Sequence, residues 1–132
     1  LDPKPKNSRR VLPVRSRDGA TRHRMVESED FRAWERAFLL LARRHAPKQP
    51  LAGAVAVELT FVLARPRRLG GGDRAPHDRR PDSENLTKGV NDALSALGFW
   101  ADDGQVSDLT VRKRYAASGE GASIEIKIME AR

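Results

Sequence analysis

Apolar residues fall on every second position from Val55 to Leu63, and, after a stretch of glycine and proline, on a helical spacing from Leu86 to Leu97. A switch of period from about 2 to about 3.6 inside one short chain demands a strand and a helix packed on each other. Val55, Val57, Leu59, Phe61 and Leu63 make the strand half-buried. Leu86, Val90, Ala93, Leu94 and Leu97 form the apolar stripe of a helix that starts near Asp82 or Ser83 and stops at Gly98. Two more strands follow. Leu109, Val111 and Tyr115 alternate within Val106–Tyr115, and Ile124, Ile126 and Ile128 alternate with Glu125, Lys127 and Met129. Ser118-Gly119-Glu120-Gly121 between them predicts a hairpin turn. Upstream, Phe31, Trp34, Phe38 and Leu41 recur at helical spacing, with Ser28 as N-cap, Glu29 and Asp30 in the first turn, Arg43 and Arg44 at the end, and Pro47 and Pro50 closing the element. The order helix, strand, helix, strand, strand gives an α/β (α+β) fold, a small mixed sheet carrying two main helices. A further strand is either missing or supplied by the N-terminal segment, and no internal repeat is visible.

Two segments resist this reading. Residues 1–26 are rich in proline, arginine and lysine without stable periodicity and predict an extended basic arm. Residues 67–81, around Leu69-Gly70-Gly71-Gly72-Asp73, predict a mobile basic loop. The whole, 132 residues, suits one domain that buries roughly two-thirds of its unfolded surface.

Charge narrows the partner. Twenty-five Lys and Arg against 18 Asp and Glu leave a formal net charge of +7, a surplus that suits a polyanion, either nucleic acid or an anionic membrane surface. No apolar run is long enough to span a bilayer and no signal-like segment opens the chain, which favours nucleic acid. A start at Leu1 rather than methionine leaves room for a preceding piece. The chain has no cysteine, which removes disulfides and thiolate chemistry and fits a reducing, cytoplasmic setting.

Chemistry concentrates between His77 and Gln105. Asp82 and Glu84 stand at the start of the second helix; Asp102 and Asp103 stand just past its end. The ends of such a helix lie about 20–25 Å apart, so the two acidic groups meet only if Asp103 lies on the returning strand or across a dimer. Hard cations such as Mg²⁺ take carboxylate oxygens together with water and phosphate. Carboxylates inside a basic protein suit metal-assisted phosphodiester cleavage better than direct DNA binding, where they would repel phosphate. Each group also has a plain explanation. Asp82 can cap the helix, Glu84 can favour its dipole or pair with Lys88 at i,i+4, and Asp102-Asp103-Gly104 is good turn chemistry. His77, alone in a loop, has no assigned role. Trp34 and Trp100 suit core or dimer contacts, and Phe99 or Trp100 could wedge at a branch point.

Three motifs occur in order: Arg80-Pro81-Asp82-Ser83-Glu84-Asn85-Leu86-Thr87-Lys88, then Asn91-Asp92-Ala93-Leu94, then Gly98-Phe99-Trp100-Ala101-Asp102-Asp103-Gly104-Gln105. Their order and spacing resemble the signature of the RusA family of Holliday-junction resolvases, Asp-x-Asp-Asn-Leu-x-Lys, Asp-Ala-Leu, and Gly-(Phe or Val)-Trp-x-Asp-Asp-x-Gln. The likeness is densest over residues 77–115 and looser over the first helix, the Pro5-Lys6-Asn7-Ser8-Arg9 stretch and the last strand.

The resemblance implies that Asp82, Glu84 and Asp103 are metal-binding catalytic carboxylates, with Asp102 a neighbour. It implies that Lys88 is the family's functional lysine, and that the protein is a homodimer cutting four-way or branched DNA with Mg²⁺ or Mn²⁺. One departure is Glu84, which stands where the family has aspartate and reaches one methylene further. Lys88 would then offset charge on the phosphate. Lys6, Arg9, Arg10, Arg65, Arg67, Arg68, Arg79, Arg80 and Lys113 would track the DNA backbone with little sequence reading. A non-catalytic basic DNA-binding dimer would use the same surface without the carboxylates, and a dimer gripping an acidic protein is the other alternative. Neither requires a divalent cation.

Overall fold

The protein is described by a computed structural model covering residues 1–4, 9–15, 21–27 and 29–131, with the backbone alone for 9–15 and 21–27. Its order is β1 (Arg9–Arg15), β2 (Thr21–Glu27), α1 (Glu29–Arg43), β3 (Val55–Leu63), β4 (Ala75–Pro76), α2 (Ser83–Ala96), β5 (Val106–Tyr115) and β6 (Ser123–Glu130), with 3₁₀ turns at Arg67–Leu69 and Asp103–Gln105. Four strands make one mixed sheet in the order β4-β5-β3-β6. In it β3 runs parallel to β5 and antiparallel to β6.

The period-2 pattern explains how the sheet is covered. Val57, Leu59 and Phe61 of β3 sit between Leu109, Val111 and Lys113 of β5 and Ile128, Ile126 and Ile124 of β6. All lie on one side of the pleat. The apolar members other than the exposed Leu109 pack against Phe31, Trp34 and Phe38 of α1 and Leu86, Val90, Ala93 and Leu94 of α2. The opposite face carries Glu58, Thr60, Thr110, Arg112, Glu125 and Lys127, the polar face of a sheet covered by helices on one side only. The helices approach closely at Gly89. A Cβ there would stand 3.4 Å from the Phe31 ring and 3.5 Å from that of Trp34.

The two helices and strands β3, β5 and β6 lie where the periodicity puts them. Three features add to that reading or change it. First, in the N-terminal segment β1 and β2 pair as antiparallel strands, with Arg9 opposite Glu27 and Arg15 opposite Thr21. Ser28 as N-cap and Lys6 lie outside the described residues, as do the side chains of Arg9 and Arg10.

Second, β5 and β6 are not a hairpin. They flank β3, because that strand is apolar enough to need neighbours on both edges. A turn does form, with the Glu120 amide donating to the Ala117 carbonyl at 3.0 Å, but it carries the chain past the end of β3, where the Ala116 amide donates to the Leu63 carbonyl at 2.8 Å.

Third, residues 67–81 include a 3₁₀ turn and the short strand β4, and they are densely bonded. The Arg65 guanidinium donates to the carbonyls of Gly70 (2.6 Å), Gly71 (3.3 Å), Asp73 (2.8 Å) and Ala116 (3.2 Å). Arg74 bridges Glu120 at 2.6 Å and Glu125 at 2.8 Å, tying the segment to the turn before β6 and to β6 itself. Four of the five guanidinium hydrogens of Arg65 are thus donated to backbone carbonyls, which ties the loop to the chain beyond β5.

Candidate active site

The start of α2 is set by Asp82, whose backbone is extended (φ −69°, ψ 142°) and whose carbonyl accepts from the Leu86 amide at 3.2 Å. Its side chain makes no capping hydrogen bond, so its carboxylate is not spent as a cap. One turn later Thr87 donates its hydroxyl to the Ser83 carbonyl at 2.7 Å. Glu84 and Lys88 occupy the outer face, and among the described residues no ion pair joins them. Two plain explanations of these acids are thereby removed.

Past α2 the chain turns sharply. The Phe99 amide reaches back to the Leu94 carbonyl (3.2 Å) and the Gly98 amide to that of Ser95 (3.0 Å), with Gly98 at φ +81°. This is the double closure that ends a helix on a left-handed glycine, accompanied here by burial of both Leu94 and Phe99. Trp100 then buries its ring, 1% exposed, and directs its Nε1 hydrogen at Asp103 Oδ1, 3.3 Å away. The Gln105 side chain locks the turn. Its Oε1 accepts from the amides of Ala101 (2.8 Å) and Asp102 (2.9 Å), and its Nε2 donates to the carbonyls of Leu51 (2.8 Å) and Gly53 (2.9 Å). Asp103 is thus held by an indole on one side and a fully bonded amide two residues on.

Between α2 and β5 runs a groove of about 540 Å³ lined by Ser83, Glu84, Thr87, Lys88, Asn91, Asp92, Asp103, Val106, Leu109 and Val111. Carboxylates from the two ends of α2 line one groove because β5 runs back along the helix from the turn that holds Asp103. Glu84, Lys88 and Asp103 share this groove; Asp82 lies outside it. Among the described residues no three histidine or carboxylate side chains gather closely enough to hold a metal ion by themselves. Asn91, whose buried Oδ1 has no hydrogen-bond partner, and Asp92 were not among the expected site residues. The polar stripe Glu84, Lys88, Asn91 and Asp92, at steps of three and four, was the sequence signal for both.

The remaining basic residues divide by what they touch. Arg68 Nη2 donates to the Tyr115 hydroxyl at 2.8 Å and its guanidinium carbon lies 5.6 Å from the ring centre. Lys113 Nζ donates to the carbonyls of Arg79 and Pro81. The side chains of Arg67, Arg79 and Arg80 are exposed. His77 packs its ring on Tyr115 with centroids 4.3 Å apart, and burial, then the Lys113 ammonium, push its imidazole below the ordinary histidine range. The Tyr115 hydroxyl, donated at 3.1 Å, is the first cause that holds the Asp78 carboxyl low.

The chain matches the family model described as "Endodeoxyribonuclease RusA" over residues 2–129. It is 30% identical over 100 residues to the uncharacterized protein YqaN of Bacillus subtilis, covering 69% of this chain and 68% of that one. It is 40% identical over 72 residues to the crossover junction endodeoxyribonuclease RusA of Escherichia coli K12, and likewise to that of Enterobacteria phage 82. Those stretches cover 54% of this chain and 58% of each relative. The match to the family model spans nearly all of the sequence, including both helices, the groove and the sheet. The chain belongs to the RusA family of endodeoxyribonucleases.

Proposed function

We propose that the protein is a Mg²⁺-dependent, structure-specific endonuclease that resolves four-way DNA junctions by paired cuts, acting in the cytoplasm as a homodimer. The observation that carries this reading is the groove in which Glu84, from α2, and Asp103, from the turn before β5, face the same space beside Lys88. The donor set fits the metal. Mg²⁺ binds through one or two carboxylates and keeps its other positions for water and phosphate, so it needs no preassembled cage of three. Glu84 and Asp103 are the groove residues that would hold it, with Asp82, outside the groove at the N-terminus of α2, a ligand only through a shift of that first turn; Mn²⁺ has the same preference for oxygen. When bound, the ion supplies neutralisation of the scissile phosphate and acidification of a water.

The chain's own groups do the rest. Trp100 and Gln105 hold the turn that carries Asp103 into the groove, and Leu109 and Val111 give the groove an apolar side. Lys88, with its ammonium not paired to Glu84, is placed to offset charge as it grows on the phosphate. Arg67, Arg68, Arg79 and Arg80 lie along one irregular segment, where with Lys6, Arg9 and Arg10 they would follow the backbones of a junction. Paired cuts require two such grooves, hence two chains related by a two-fold axis.

The test is incubation with a synthetic four-way junction and a matched linear duplex, with and without Mg²⁺. The junction is cut symmetrically only with the ion, and Asp103→Asn abolishes cutting while leaving junction binding intact or tighter. Binding without cutting under any divalent ion would make the protein a non-catalytic DNA-binding module. Normal cutting by Asp103→Asn would remove that residue from the site.

A further inference from the structure

Leu109, Val111, Lys113 and Tyr115 follow one another along the helix-facing side of β5. The first two line the groove with Glu84 and Asp103. The next two reach the segment that delivers the chain into α2. Lys113 Nζ donates to the carbonyl of Arg79 at 2.5 Å and to that of Pro81 at 2.8 Å, and the Lys113 carbonyl accepts from the His77 amide at 3.1 Å. Tyr115 takes hold one step further back, donating its hydroxyl to Asp78 Oδ1 at 3.1 Å under the His77 ring. Pro81 is bonded directly to Asp82, and Glu84 follows two residues later.

The first turn of α2 has few other restraints. Of Ser83 to Leu86 only Leu86 is buried, while Asp82, Ser83 and Glu84 are exposed. Buried packing fixes the helix from Leu86 onward; the angle at which the chain arrives at Asp82 is left to whatever holds residues 79–81. An ammonium donating to two carbonyls makes charge-assisted bonds, about twice as strong as neutral ones. It also has only one hydrogen left for anything else. A lysine placed to track phosphate would present all three to solvent.

We propose that Lys113 is a positioning residue: it holds the Arg79 and Pro81 carbonyls and so sets the first turn of α2, from which Glu84 enters the groove that Asp103 also lines, and it is not a backbone-tracking DNA contact. The inference rests on the nuclease reading above for its consequence in cleavage, but its structural half stands apart from it.

Lys113→Met keeps the stem and removes the donors. Three measurements on the full chain decide. By hydrogen exchange, the Leu86 amide, which donates to the Asp82 carbonyl, exchanges about tenfold faster or more in the variant, while the β3–β5 ladder amides keep their wild-type rates. With saturating junction, the single-turnover cutting rate falls by about tenfold to a hundredfold, the scale on which misplacing a catalytic group by about 1 Å acts. The junction affinity stays within about twofold of wild type and the slope of its logarithm against that of salt is unchanged. A phosphate contact predicts the reverse: a slope shallower by about 1, weaker binding, an unchanged saturated rate and unchanged exchange. That pattern would overturn the proposal, as would faster exchange throughout the sheet, which would mean that Lys113 supports the whole fold. If wild-type protein cuts no junction, the nuclease reading fails and the exchange data alone decide what Lys113 holds.

Discussion

Arg65→Met is a demanding test of how the 67–81 segment is built. The substitution keeps most of the apolar stem and deletes a guanidinium that donates to four carbonyls, those of Gly70, Gly71, Asp73 and Ala116. At about 1 kcal/mol net for each bond the ceiling is about 4 kcal/mol. Three of the four carbonyls are solvent-exposed and regain water when the arginine leaves; the Ala116 carbonyl is part-buried and regains less. The expected loss is therefore about 1–2 kcal/mol, or about 3–8 °C in Tm for a domain of this size. Urea unfolding monitored by the two tryptophans measures it, with Arg65→Lys as a companion that restores charge but not the forked geometry and recovers only part of the loss. Limited proteolysis at 66–73 should quicken in Arg65→Met, while the salt dependence of junction binding stays as in wild type. Unchanged stability together with a shallower salt slope would refute this and return Arg65 to the DNA-contacting set.

Glu84→Gln should lose metal-dependent cutting and Glu84→Asp should retain it, since the shorter acid is still an oxygen ligand; junction-cutting assays under saturating Mg²⁺ decide. Hydrogen bonds from Arg74 are the first cause that lowers the Glu120 carboxyl from 4.5 to about 2. A carboxyl depressed in the folded state adds stability above its unfolded value and loses it as pH falls through the folded one. Arg74→Ala should therefore be less stable than wild type above pH 4.5, with the difference closing as the pH approaches about 2. Urea midpoints across that range test it. Gly89→Ala should be tolerated, changing stability by less than about 1 kcal/mol, because helix propensity gains what the 3.4 Å approach to Phe31 costs. Gly89→Leu should cost more than about 2 kcal/mol by forcing α1 and α2 apart.

Elements with a local signature were legible. β3, β5 and β6 announce themselves by alternation, and α2 by its stripe and by Gly98, because both patterns are set by neighbours within one or two turns. Pairing was not legible. Nothing local to Val106–Tyr115 says that it lies parallel to β3 rather than beside β6, and a good turn sequence at Ser118–Gly121 made the wrong partner look natural. The bonding of the cations was not legible either. Arg65 and Lys113 bind carbonyls that are distant in sequence, and an arginine or lysine reads the same in a chain whether its hydrogens will meet phosphate or backbone. In the groove, Glu84, Lys88 and Asp103 stand with Asn91 and Asp92, which the motifs contain without an assigned role, and Asp82 lies outside.

The position of β3 also governs how the chain must come together as it is made. Leu59 pairs with Val111 on one side and Ile126 on the other, so neither neighbour of the most apolar strand exists until long after it has been synthesised. Until β6 is available, one edge of Val55–Leu63 offers a row of unpaired amides and carbonyls flanked by valine, leucine and phenylalanine. That is a template for pairing with another nascent copy. Sheet closure here is a long-range event, slow relative to helix formation, and α1 and α2 can form well before they have a finished surface to cover. Expression at lower temperature, or with chaperones that shield strand edges, should raise the yield of folded protein more than any change on the polar face of the sheet.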